Sequence, residues 1–321
     1  MLVYFCTVVL IATLLVSVTH FSLLCLNGAC EDFHVKRWIF SIFMSLTVAA
    51  WGLKRKSLDW TGAVSGVVVG IVLTFSSYCF LACLLTFFYT CSKATHYCSE
   101  KKKKLEVDFK EGGQRNWIQV VCNGGAAVEV SLLYLMHGGV GECLLDFEAH
   151  YARSWLAASV LSALAGATGD TWASEIGTVV AGSEPLLITS FQKVPVGTNG
   201  GFTVAGLLYS ALGGGVIGAS YLAALLASHD AASVVRQAGC VLFAGTFAGL
   251  FGSVLDSVIG ATLQYSGVDV RSGKIVECPG AGVKRISGRP LLTNHSVNLV
   301  MSVVNSILVP TLTASLCLSL G

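Results

Sequence analysis

Ala167-Thr168-Gly169-Asp170-Thr171-Trp172-Ala173-Ser174-Glu175-Ile176-Gly177 sets two carboxylates and three hydroxyls inside a strongly apolar chain. An ionisable group at membrane depth costs about 3 kcal/mol, so such groups are kept where they carry a function. Read as a helix, the segment pairs Asp170 with Ser174 and Thr171 with Glu175 at i,i+4. Carboxylates and hydroxyls are hard oxygen ligands, suited to a Mg²⁺ that keeps waters and bridges to phosphate oxygens. The bland alternative is a helix end, with Thr168 or Asp170 as N-cap and Glu175 solvated.

Downstream stands Lys193-Val194-Pro195-Val196-Gly197-Thr198-Asn199-Gly200-Gly201, and an apolar run follows at once. A Gly-rich turn opening a helix aims backbone N–H groups at an anion. Lys193 adds a point charge. The loop is no Walker A sequence, and a plain interfacial turn has the same composition.

The whole chain has 321 residues, 54% apolar and 12% charged. Soluble domains carry about 25% charge. The composition therefore predicts an all-α, polytopic integral membrane protein, a single domain over 1–321. A net charge of +2 gives no case for nucleic-acid binding. Basic residues cluster at Lys54-Arg55-Lys56, at Lys101 to Lys104, and at Lys274, Lys284, Arg285 and Arg289. Clusters of this kind beside apolar spans mark cytoplasmic loops.

Apolar runs fall near 2–26, 38–53, 62–91, 117–137, 154–168, 201–227, 235–262 and 295–320. The third is one tilted helix or two short ones, giving eight or nine transmembrane helices. If Lys54 to Lys56 and the 92–115 loop share a side, the run contains two passes and the count is nine. The run 2–26 lacks a basic n-region and reads as an uncleaved first span. The twelve cysteines form no CxxC pair, and no His stands at zinc-ligand spacing. Neither a structural zinc nor a disulfide framework is expected. Gly62/Gly66/Gly70, Gly245/Gly249 and Gly213 to Gly215 predict close helix packing.

Arg115, Gln119 and Asn123 recur at i, i+4 and i+8, a polar stripe at the start of an apolar helix. Such a stripe faces protein or a water-filled cavity, as a site or as helix-packing hydrogen bonds. Asp256 stands mid-run, so it must be protonated, paired or metal-bound. Arg115 and Lys193 are its candidate partners.

These residues carry a resemblance. The chain resembles the integral membrane family of transmembrane protein nineteen and the plant phytyl-phosphate kinase, from about Lys54 to the C-terminus. The motifs are Gly113-Gln114-Arg115-Asn116 with Gln119 and Asn123-Gly124-Gly125, the Asp170 to Gly177 segment, the Lys193 to Gly201 loop, and Asp256-Ser257 with Gln264. A more distant likeness is to phosphatidate cytidylyltransferases and dolichol kinases. Asp170, Ala173 and Gly177 match their acidic helix, while Gly197 stands where their loop has a lysine.

The resemblance implies a phosphotransferase that converts an isoprenoid (phytyl or polyprenyl-like) monophosphate to its diphosphate. The donor would be a nucleoside triphosphate of CTP or ATP type, with Mg²⁺. In that reading Asp170 and Glu175 hold metal, and Lys193 grips phosphate with Thr198, Asn199, Gly200 and Gly201. Arg115 balances acceptor charge, and Thr171, Ser174, Gln119, Asn123 and Asp256 complete the binding site. The other partners are membrane lipids, in an endomembrane. A multi-pass transporter or lipid-handling protein without kinase activity is the alternative, with Asp256 as an ion site. Convergence of Asp170, Glu175, Lys193 and Thr198 at one membrane face favours the enzyme, and polar groups at the midplane favour the transporter.

Overall fold

The computed structural model describes residues 32–102 and 113–320, with positions 3, 7, 8, 11 and 12. Most of the 2–26 run, Lys103 and Lys104 lie outside the described residues, as do the side chains of Lys101 and Lys102. Eight long helices follow in order: α1 (Asp32–Lys54), α2 (Trp60–Ser76), α3 (Tyr78–Lys102), α4 (Trp117–Gly138), α5 (Tyr151–Trp172), α6 (Val204–Leu225), α7 (Ala231–Leu263) and α8 (Asn294–Leu320). Among the described residues, four helices are long and apolar enough to cross a membrane: α4, α6, α7 and residues Asn294–Ser319 of α8.

The 62–91 run is two helices. Ser77 is extended, so its backbone N–H closes α2 on the Leu73 carbonyl and α3 starts anew at Tyr78. Local side chains set other helix starts. Asp59 caps α2 by accepting from the Gly62 N–H, and Asn116 with Gln119 forms a reciprocal capping box on α4. Thr203 and Asp230 cap α6 and α7.

α5 is the central helix. Its Ala157 to Thr168 segment, mostly Ala, Ser, Leu and Gly, is buried on every side. A helix apolar all round and small in side chain belongs in the middle of a bundle. Glycines set the helix crossings around it. A Cβ on Gly252 of α7 would stand 2.9 Å from the Gly166 Cα, and one on Gly214 of α6 would stand 2.8 Å from the Gly249 Cα. Exposed Ile39, Phe43 and Leu46 on α1, with Leu208 and Leu212 on α6, supply an outer surface suited to lipid.

Two small antiparallel sheets interrupt the helical pattern. Leu186–Leu187 pairs with Gly201–Phe202 around the Lys193 loop. Ser266–Asp269 pairs with both Ile275–Val276 and Val283–Ser287, so the basic 263–294 stretch is a three-stranded sheet.

Contrary to the expectation of no disulfide framework, Cys240 of α7 and Cys317 of α8 are joined, with Cα atoms 6.0 Å apart. Asp256 with Asn298 and Ala248 with Asn305 also bring α7 and α8 together. The antiparallel register of these two helices makes the cysteines level, and no spacing within either helix reveals that.

Candidate functional site

The helix ends sort into two groups. The Arg115 N–H donates to the Ser57 carbonyl, joining the loop after α1 to the start of α4. Gly177 packs on Gly206, Gly200 packs on Ala261, and Asn298 meets Asp256. The ends of α1, α3, α5 and α7 and the starts of α2, α4, α6 and α8 therefore lie at one end of the bundle. The opposite end is braced by Arg37, whose Nη2 contacts Glu142 at 2.9 Å. There the Glu142 carboxylate also accepts from the Tyr78 N–H, and the Tyr221 hydroxyl donates to the Cys143 carbonyl.

Asp170 lies in the last turn of α5. Asp256 of α7 and Glu175 stand close enough to act on it electrostatically. Among the described residues no Lys or Arg forms an ion pair with Asp170 or Asp256. Asp256 pairs instead with an amide. With its nitrogen turned toward Asp256, Asn298 donates to Oδ2 at 3.2 Å and to the Asn294 carbonyl at 3.1 Å. Of the two cations expected beside Asp256, Arg115 donates to Ser92 Oγ at 3.0 Å, and Lys193 is exposed in its loop.

Residues 173–177 form a π-helical turn rather than a continuation of α5. The extra residue per turn alters the i,i+4 pairing and turns Glu175 inward, where Thr95 Oγ1 of α3 lies 3.4 Å from Oε1. Ser174 is exposed and donates to the Thr171 carbonyl, away from the cluster. Thr171 donates to Ala167 and reaches Cys91 of α3, which also lies within electrostatic range of Arg115 and Glu175.

The Lys193 to Gly201 loop is braced against the end of α7 and the three-stranded sheet. Asn199 donates from its N–H to Ser266 Oγ and from Nδ2 to the Tyr265 carbonyl. The Thr198 and Gly201 N–H groups bond to Pro195 and Thr198 carbonyls, and the Thr198 hydroxyl donates to Pro195. Gly200 takes φ +81°, and a Cβ there would collide with Ala261. Gln264 donates to Glu277 at 3.1 Å and holds the sheet to α7.

On α4, Gln119 serves in the capping box, and Asn123 donates to the Gln119 carbonyl. Both line a cavity together with Arg115. It lies between α1, α2, α3 and α4, has a volume of about 70 Å³, and is walled mainly by Val, Leu, Phe and Gly. Asn123 also approaches Asn298, with Asn298 Nδ2 3.4 Å from Asn123 Oδ1 in the amide's other orientation. The Arg115/Gln119/Asn123 stripe therefore stands between an apolar cavity and the carboxylates.

Sequence reasoning missed Ser92, Thr95 and Asn298. Asn294, Asn298, Ser302 and Asn305 recur along one side of α8 and carry the same signal as the α4 stripe. Ser92 and Thr95 have no signal beyond polarity in an apolar helix.

Among the described residues no three His, Cys, Asp or Glu side chains form a ready metal cage. Mg²⁺ needs none, because it is held by one or two carboxylates with waters and substrate phosphates. Three neighbouring carboxylates, two of them without an ion-pair partner, suit a divalent cation.

Fold and site define a polytopic integral membrane protein with an acidic centre at one end. The chain belongs to the integral membrane protein family DUF92, whose profile matches residues 43–306. It is 39% identical to Protein PGR of Arabidopsis thaliana over 85% of this chain and 94% of that one. An uncharacterized membrane protein of Methanocaldococcus jannaschii is 27% identical over 85% of this chain and 92% of its own length. A third, from Synechocystis, is 28% identical over 71% of this chain and 81% of its own. No solved structure matches.

Proposed function

We propose that the chain is a membrane-embedded phosphotransferase that moves a phosphoryl group from a nucleoside triphosphate to an isoprenoid monophosphate. The observation that carries this reading is the meeting of Asp170, Asp256 and Glu175 at the bundle end that also holds Arg115. Phosphoryl transfer needs positioning and charge neutralisation more than covalent chemistry. Asp170 and Glu175 would hold Mg²⁺, which when bound neutralises phosphate charge. Arg115 would orient the acceptor head, and Gln119 and Asn123 would offer amide contacts beside it. With the loop N–H groups of Thr198, Asn199 and Gly201 engaged in the fold, exposed Lys193 would meet the donor, beside the Gly200 backbone.

A transporter would need access from both ends. The Arg37–Glu142 pair and the Tyr221 bond tie the helices together at the end away from the carboxylates, and the acidic groups gather at one end of the bundle rather than at its middle, which favours the enzyme. Purified protein incubated with labelled CTP or ATP, Mg²⁺ and a panel of polyprenyl monophosphates tests the proposal. Diphosphate product is expected, and no transfer from either donor refutes it.

A further inference from the structure

We propose that Phe191, at the tip of the hairpin before α6, is a membrane anchor: its ring enters the acyl-chain edge of the bilayer and holds the 193–201 loop against the headgroups. The hairpin stands on a closed base. Leu186–Leu187 pairs with Gly201–Phe202, and Leu187 and Val194 pack with Ala261 of α7 in a small buried core. The turn above that base is tied by its own backbone. The Phe191 N–H donates to the Leu187 carbonyl at 2.7 Å, and the Leu187 N–H donates to the Gln192 carbonyl at 2.9 Å.

This firmly held tip leaves Phe191 outside. The residue is 68% exposed, and its backbone takes φ +55°, a left-handed conformation that bulky side chains disfavour. Its ring stands perpendicular to that of Phe202, with centroids 5.9 Å apart. Thr203 follows Phe202 and caps α6. From there Val204, Leu208, Leu212 and Val216 are exposed at every fourth residue. They form a slowly turning strip on a helix long and apolar enough to cross a membrane. Phe191 extends that lipid-facing strip beyond the start of the helix. Exposed Trp60 at the start of α2 and exposed Tyr97 near the end of α3 stand at the same bundle end, as interfacial aromatic side chains do.

Size chooses the bilayer over a second copy of the chain. One phenyl ring buries about 200 Å², against about 800 Å² per partner in a stable protein interface. Ser190, Gln192 and Lys193 around it are exposed and polar. A lone apolar ring flanked by polar side chains and a lysine suits the boundary between acyl chains and headgroups.

The anchor stands whether or not the chain transfers phosphate, and its test needs no turnover. Full-length protein with Phe191→p-benzoylphenylalanine is irradiated in phosphatidylcholine nanodiscs. Lipid adducts are expected in a yield similar to that of the same probe at Leu208 and well above that of the probe at exposed Ser272. Adducts between two copies of the chain, or a lipid yield no higher than at Ser272, would overturn the anchor. In the same nanodiscs Phe191→Ser should quicken tryptic cleavage after Lys193 by about tenfold, the factor that the transfer energy of one ring allows, and Phe191→Trp should not. These natural side chains decide the matter if the benzoyl group is not tolerated. Equal cleavage of the parent and both variants, or a Trp variant as labile as the Ser variant, would overturn the anchor.

Discussion

Gly169 of α5 rests on the backbone of Gly249 of α7: a Cβ added to Gly169 would stand 2.5 Å from both the Gly249 Cα and its carbonyl oxygen. α5 and α7 each run antiparallel to α6, so they run the same way and carry Asp170 and Asp256 past this crossing toward the same end. Gly169→Val should separate the helices and cost about 1–3 kcal/mol, as overpacking does. Thermal unfolding in detergent reads this loss. Gly239→Val, where a Cβ would meet nothing within 4 Å, should leave the midpoint nearly unchanged.

Asp170 and Asp256 repel each other when both are ionised. Asp256→Asn removes one charge, and its amide still meets Asn298. The variant should unfold at a higher temperature than the parent while transferring phosphate more slowly at matched protein levels. A lower unfolding temperature would mean that Asp256 answers a cation rather than opposing Asp170.

At the far end, Glu142 lies in the loop after α4. Burial works to raise its carboxyl, but the Tyr78 N–H and the Arg37 guanidinium outweigh burial and hold it below its ordinary value. A carboxyl depressed in the folded state contributes stability above its unfolded pKa of about 4.3 and loses it as pH falls through the folded value. Glu142→Gln should flatten the acid limb of the stability profile below about pH 4. Arg37 is 1% exposed and Glu142 half-buried, so Arg37→Ala should cost about 1–3 kcal/mol by leaving that carboxylate without its cation. Unfolding midpoints across pH separate the two effects.

Lys54, Arg55, Lys56, Lys193, Lys274 and Lys284 stand at the carboxylate end, against Lys36, Arg37, Arg153 and Arg236 at the other. The positive-inside rule puts the carboxylate end on the side where the chain is synthesised. An epitope inserted at exposed Ser272 should be reached by antibody from that side only, and one at exposed Glu148 from the opposite side only.

Much of the helical order was legible, because apolar runs bounded by Asp59, Asn116, Thr203 and Asp230 state both span and cap. The two-helix alternative for 62–91, favoured if the flanking basic stretches share a side, matches the break at Ser77. The stripe on α4, read as facing protein or a cavity, lines the cavity between α1 and α4. The meeting of Asp170 with Asp256 was not legible, because it depends on where two helices far apart in the chain cross. The π turn escaped too: it differs from an α turn by one residue and moves Ser174 out while bringing Glu175 in. Asn199, read as a phosphate contact, bonds Ser266 at the start of a strand and Tyr265 just before it, in the stretch whose basic residues read as a cytoplasmic loop.

The most direct test is phosphoryl transfer by purified Asp170→Asn, at saturating Mg²⁺ and donor, against the parent chain. The substitution keeps shape and hydrogen bonding and removes the charge assigned to the metal. The account predicts a rate about 10²-fold lower or less still, as when one preorganised charge-stabilising group is removed, with an unfolding midpoint no lower than the parent's. Parent-level transfer by Asp170→Asn would contradict it.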